Sequence, residues 1–207
     1  MKKILTLLLS AFMIFTLTAC GSDGEKNSAQ EKTSASETEK QTSNSTPTKK
    51  NLVVYFSCTG KTKTLAENAA EVLQADLYEI KPEIPYTAED LNWRDETTRA
   101  TVEQRDESAR PALADKNAPV SDYQNIIIAF PIWWGIAPRI IETFVETYDL
   151  SGKNIIPICT SGGSDIGTSA EYLKKISKDR GNWQSGKSFF AEGTKTEIKN
   201  YFDSLGL

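Results

Sequence analysis

An α/β fold, a parallel sheet with helices on both faces, is predicted from three observations. Five short strand candidates recur after residue 50, the first of them, Leu52 to Phe56, an apolar, β-rich run of the kind that is covered on both faces. Segments with helical apolar stripes lie between them. The first fifty residues differ so sharply in composition that the fold belongs to residues 51–207 alone. Such a sheet implies right-handed crossovers and a ligand crevice beyond the carboxyl ends of the strands, where the strand order reverses.

Leu52 to Phe56 reads as the first strand, and Thr64 to Gln74 as a helix with Leu65, Ala66, Ala69, Val72 and Leu73 on one face. Ala75 to Ile80 follows as a second strand. Ile126 to Phe130 is the clearest strand in the chain. Pro138 then suits the first turn of a helix whose stripe is Ile140, Ile141, Phe144, Val145 and Tyr148. Ile155 to Cys159 makes a fourth strand, and Tyr172, Leu173 and Ile176 mark the next helix. Lys187 to Ala191 makes a fifth strand, and Ile198, Tyr201, Phe202 and Leu205 mark a closing helix. The polar stretch from Lys81 to Asp122 reads as one or two surface helices.

The amino-terminal block divides at Cys20. Lys2 and Lys3 precede an apolar run from Ile4 to Leu17, which as a helix would reach only ~21 Å, short of the ~30 Å hydrocarbon core. A signal peptide over residues 1–19 fits better than a spanning helix. Leu17-Thr18-Ala19-Cys20 resembles the lipobox of bacterial lipoproteins, which implies a diacylglyceryl cysteine at Cys20 and anchoring at the extracytoplasmic face of the cell membrane. From there to Lys50 the chain is polar, with five acidic and five basic residues after Cys20. It buries too little apolar surface to offset ordering, and reads as a flexible tether spanning ~30 Å. Loss of Lys2 and Lys3 with the signal takes the net charge from −4 to −6, all of it on the domain. Anionic lipid repels a surface of that sign, so the lipid on Cys20 is the expected attachment.

Composition excludes several chemistries. The chain has no histidine, which removes Ser-His-Asp and Cys-His nucleophiles, His-ligated zinc and HExxH helices. Net negative charge argues against a nucleic-acid partner. Cys58 and Cys159 end strands that a third separates, a distance of ~9.6 Å against a limit of ~7 Å between Cα atoms for a disulfide. Cys159 is expected in the core. The loop N–H groups around Cys58 could lower its pKa, but no base accompanies it.

Three segments that follow strands carry the chemistry. Ser57-Cys58-Thr59-Gly60-Lys61-Thr62 leads into a helix, and its hydroxyls, N–H groups and helix N-terminus make an anion site. It is not a nucleoside-triphosphate P-loop, which needs glycine where Tyr55 stands. Pro131-Ile132-Trp133-Trp134-Gly135 places two tryptophans in one loop, and both cannot point into the sheet. One is expected to offer a flat face to a planar ring; the loop conformation decides which. Thr160-Ser161-Gly162-Gly163-Ser164, with Gly167 beyond, permits close backbone approach to a ligand.

Together these segments resemble the flavodoxin-like family of small bacterial FMN proteins, through its Thr/Ser-x-Thr-Gly-x-Thr loop and its Tyr/Phe-Pro-Ile-Trp-Trp-Gly loop. The resemblance runs from about Asn51 to the C-terminus and includes Tyr148 to Lys153. It implies a doubly wound five-stranded parallel sheet of order 2-1-3-4-5, the order that defines flavodoxins. It also implies FMN, with phosphate contacts from Ser57, Thr59, Gly60, Lys61 and Thr62. The ring would lie between the loops Pro131, Ile132, Trp133, Trp134, Gly135 and Thr160, Ser161, Gly162, Gly163, Ser164, Gly167. Lys61 stands where the family often has asparagine.

The cofactor would carry the redox chemistry. The first expectation is a membrane-anchored electron carrier working with a redox partner protein or a quinone. The alternative is an FMN-dependent NAD(P)H:quinone-type oxidoreductase, against which stands the lack of a G-x-G-x-x-G motif. A third class is a binding lipoprotein that kept the fold without flavin, which the intact loops disfavour.

Overall fold

The computed structural model describes residues 49–207, and the expectations for the signal peptide, Cys20 and the tether to residue 48 lie outside them. The strands are β1 (Lys49–Tyr55), β2 (Asp76–Glu79), β3 (Tyr123–Pro131), β4 (Asn154–Ser161), β5 (Asn182–Trp183) and β6 (Lys187–Phe190). The helices are α1 (Lys61–Leu73), α2 (Arg99–Arg105), α3 (Arg139–Thr147), α4 (Ser169–Ile176) and α5 (Lys195–Ser204), with a 3-10 turn at Val120–Asp122. All pairings in the sheet are parallel, in the order β2-β1-β3-β4-β5, with β6 also on β4. The predicted order 2-1-3-4-5 is present, with its fifth position divided into two pieces.

Pro157 explains the division. The carbonyls of Ile155 and Ser161 accept hydrogen bonds from the N–H groups of Gln184 and Ala191, so the odd-numbered residues of β4 face the fifth position. Pro157 is one of them and has no N–H to offer. The ladder therefore stops after Ile155 and resumes at Ile158. Gly186 makes the passage possible: a Cβ there would lie 2.6 Å from the Pro157 carbonyl oxygen.

Alternate residues of the central strands feed two cores, as a doubly wound sheet requires. On one face Leu52, Val54, Phe56, Ile126, Ile128 and Phe130 meet Ile140, Ile141 and Phe144 of α3 and Leu173 of α4. On the other, Val53, Tyr55, Ile127 and Ile156 meet Leu65, Ala66 and Ala69 of α1 and Ile198 and Phe202 of α5. Each core hides its half of the apolar runs, which is why those strands read as continuous rather than alternating.

Some boundaries differ from the sequence reading. α1 starts at Lys61, three residues early, because Gly60 takes a left-handed conformation (φ +89°) that turns the chain directly into the helix. Pro138 caps α3 from outside its first turn, and Tyr148 lies just past its end. The stretch 81–122 holds one α-helix, not two, joined by turns and by an antiparallel bridge between Pro82 and Leu113. That helix, α2, is not a surface element throughout, since Ala100, Thr101 and Gln104 are buried. Among the described residues no helix is long and apolar enough to cross a membrane.

Candidate functional site

A cavity of about 520 Å³ opens beyond the carboxyl ends of β1, β3 and β4. Its two ends differ in chemistry. At the polar end Thr59, Lys61 and Thr62 line the wall where α1 begins. No side chain caps that helix, and its first turn carries no acidic residue, so its partial positive charge is left for an anion. The exposed Lys61 adds a full charge, balanced among the described residues by a loose approach of 3.9 Å to Glu192. Ser57 stays out of the lining; its hydroxyl accepts the Gly60 N–H at 3.1 Å and holds the loop closed. Thr62 is buried, with its hydroxyl 2.7 Å from that of Thr160, which ties the loop after β1 to the end of β4.

At the other end Pro131, Ile132, Trp133 and Trp134 supply an apolar wall. Trp133 and Ile136 exchange backbone hydrogen bonds of 3.0 and 3.1 Å across a two-residue turn. Both residues of that turn, Trp134 (φ +47°) and Gly135 (φ +86°), have positive φ, as a type I′ turn requires. A bulky side chain seldom accepts this conformation. The turn sends the two indoles apart. Trp133 packs edge-on against Phe56 and Tyr86, with ring centroids at 5.7 and 5.4 Å. Trp134 is 48% exposed at the mouth.

The loop after β4 divides its duties. Thr160, Ser161 and Gly162 line the cavity. Gly163 and Ser164 instead line a shallower depression, beside Asp165 and Lys187, that shares Ser161 and Phe190 with the cavity. Ser161 donates to the Ser164 carbonyl at 2.6 Å and accepts the Gly163 N–H at 3.1 Å, while Ser188 donates to both Ser161 and Ser164. These polar groups fold the loop. Gly167 lets two loops meet. A Cβ there would stand 2.5 Å from the Gly135 carbonyl oxygen, so only glycine fits the contact. Of the residues that the resemblance assigned to FMN, ten line the cavity, as does Cys58 between them, and Ser57, Gly60, Gly135, Gly163, Ser164 and Gly167 lie outside the lining.

Several lining residues were not singled out from sequence: Leu91, Trp93 and Ala100 from the β2–β3 connection, and Phe190 and Ala191 at the end of β6. Phe190 ends a strand at the crevice edge and Ala191 follows it, so the rule that located the other loops extends to them. Nothing in the polar stretch around Trp93 marked it.

Behind the apolar wall lies an ionic brace. Gln104 of α2 is buried, and its side-chain amide donates to the carbonyls of Ala137 (3.1 Å) and Trp133 (3.4 Å). Arg139 donates to the Gln104 carbonyl at 2.7 Å, to Glu142 at 2.6 Å and to the Tyr172 hydroxyl at 3.0 Å. Arg110 approaches the other Glu142 oxygen at 2.8 Å. Tyr86 is held in the same way: its hydroxyl donates to Glu103, and the Arg99 guanidinium lies 4.0 Å from its ring centroid.

Among the described residues, Cys58 and Cys159 are free thiols. Burial pushes Cys58 up to about 12, against a weaker pull from Arg99, which corrects the expectation that the loop could make it acidic. A thiol so shifted is protonated at neutral pH and is no nucleophile. Cys159 is buried in the core, as expected, and is raised likewise by burial. Among the described residues no group of three or more Cys, Asp and Glu side chains is arranged to hold a metal ion.

Two solved structures share this architecture at high identity. A protein described as a flavoprotein from Bacteroides eggerthii DSM 20697 is 42% identical, with a TM-score of 0.71 over 76% of this chain and 98% of its own. Another from Bacteroides uniformis ATCC 8492 is 41% identical, with a TM-score of 0.71 over 75% of this chain and 98% of its own. A flavoprotein from Lactobacillus acidophilus NCFM, solved in complex with FMN, is 20% identical with a TM-score of 0.57, and shares the fold over 74% of this chain and 99% of its own. Among curated proteins no match is found. The flavodoxin family model matches residues 50–205, which is nearly the whole described chain, and the chain therefore belongs to the flavodoxin family.

Proposed function

We propose that the domain binds FMN and serves as an electron carrier, held at the extracytoplasmic face of the cell membrane by lipid on Cys20. The observation that carries the cofactor reading is one cavity joining an uncapped helix N-terminus and a lysine to an aromatic wall. FMN has those two ends, a dianionic phosphate and a planar ring. When bound, FMN supplies electron transfer. Thr59, Lys61 and the first N–H groups of α1 bind the phosphate, and Thr62 and Ser57 fix the loop that carries them. Trp134, exposed at the mouth, offers its face to the ring, while Trp133 anchors the turn to the core. The FMN found in the Lactobacillus protein supports the same reading.

A carrier needs an open ring edge and no nicotinamide pocket. The expected result is that NADH and NADPH reduce the bound flavin negligibly, while dithionite or a reduced redox protein reduces it within seconds by absorbance. Rapid stoichiometric reduction by NADPH with turnover on a quinone would overturn the carrier in favour of a reductase. Anchoring is tested separately. Cys20→Ser should lose palmitate label and membrane fractionation while the domain still folds; a labelled variant would end that part of the proposal.

A further inference from the structure

Six large apolar side chains are exposed among the described residues: Leu77, Ile84, Trp93, Val102, Trp134 and Phe190. The three aromatic ones all line the cavity described above, Phe190 where it adjoins the shallower depression, and none of the three aliphatic ones does. Trp93 is 65% and Phe190 74% exposed, and they come from separate segments, the β2–β3 connection and the end of β6. Scattered exposed apolar residues need no explanation, but a cluster around one concavity marks a ligand surface. The large side chains exposed there are aromatic, with Leu91 and Ile132 adding aliphatic lining, an arrangement that suits a flat ring that stacks or meets ring edges.

Trp93 is also displayed on a fixed support. The Arg94 guanidinium lies over its indole, 4.6 Å from the ring centroid, and Trp93 also lines the cavity. The turn beneath is pinned from both sides. Asn92 accepts the Arg94 N–H at 3.3 Å through its side chain and the Asp95 N–H at 3.0 Å through its carbonyl. The Ala100 N–H donates to the Asp90 carbonyl at 3.1 Å and ties this turn to α2. Because α2 also holds the Trp133 turn through Gln104, both walls share one foundation. A ligand meeting them loses little entropy to loop ordering.

From the clustering of Trp93, Trp134 and Phe190 around one cavity, we propose that Trp93 and Phe190 complete the binding surface for the flavin ring and set its affinity independently of the phosphate end. The proposal rests on the FMN reading. It makes the β2–β3 connection part of the cofactor site.

The test compares FMN and riboflavin, which share the ring and differ in the phosphate. Apoprotein of the full domain, wild type, Trp93→Ala, Phe190→Ala and the off-cavity control Val102→Ala, is titrated with each ligand, following quenching of flavin fluorescence. Each aromatic truncation is expected to weaken both ligands by the same factor, about fivefold to tenfold, and to relieve part of the quenching. Trp93→Phe should restore most of the affinity, and Val102→Ala should change nothing. Both side chains are largely exposed, so the apoprotein melting temperatures should match wild type. Unchanged affinity in both aromatic variants overturns the proposal, as does a loss confined to FMN. Wild-type protein that binds neither ligand overturns the FMN reading itself.

Discussion

Thr59→Ala combined with Lys61→Ala is expected to weaken FMN binding by about two decades or more while changing riboflavin binding little. Each removes a donor to a charged acceptor, worth ~1.5–3 kcal/mol, so even the lower values sum to ~3 kcal/mol, or two decades. The choice of residues follows from their surroundings. Thr59 and Lys61 are exposed in the loop, so their loss costs the fold little. Thr62 is unsuitable, because its buried hydroxyl is bonded to Thr160 and its removal would loosen two loops at once. Backbone N–H groups of α1 remain in the double variant, and residual FMN affinity should persist and fall with added salt. Titrations of both ligands by flavin fluorescence decide it. Equal losses for FMN and riboflavin would mean that this loop does not hold the phosphate.

Much of the fold was legible because the sheet is buried on both faces. Leu52 to Phe56 and Ile126 to Phe130 are unbroken apolar runs because each strand feeds two cores, and no amphipathic helix has that pattern. The site was legible where a local motif carries its own geometry, as at Thr59-Gly60-Lys61 and Trp133-Trp134-Gly135. It was less so where a residue's duty depends on a distant partner. Ser161 and Ser164 look like ligand groups in sequence, yet their polar atoms close their own loop with the help of Ser188. Gly163 lies outside the cavity lining, in the adjoining depression. Pro157 divides the fifth strand only because of the side of β4 on which it falls, a matter of register. The 81–122 connection has no periodic pattern, because few of its residues enter a core. In α2 the buried residues are Ala100, Thr101 and Gln104, two of them polar, so they carry no apolar stripe.

Replacing Arg139 by methionine is expected to be the most destabilising change near the site, by about 3 kcal/mol, at the lower end of the ~3–5 kcal/mol seen when one member of a buried ion pair is removed. Arg139 is 4% exposed and Glu142 0%, and their contact is 2.6 Å. Methionine fills much of the same volume but leaves the carboxylate with Arg110 alone, which is why the lower value applies. The Gln104 carbonyl loses its donor too, so the brace behind Trp133 slackens. Urea unfolding at neutral pH should show the deficit as a lower midpoint with little change in slope. Its pH dependence has a definite sign. Burial already raises the Glu142 carboxyl above its ordinary value against the pull of Arg139 and Arg110. A group whose pKa is raised by folding adds stability below its unfolded pKa and loses that contribution as pH rises through the folded value. Losing Arg139 raises it further, so the variant's deficit should be largest near pH 7 and shrink as acid neutralises the carboxyl. Adding Glu142→Leu removes the stranded charge and should recover most of the loss at neutral pH, since an apolar replacement of a buried pair is often neutral. A deficit that neither acid nor the second substitution relieves would show that the arginine acts through packing, and that Glu142 never depended on its charge.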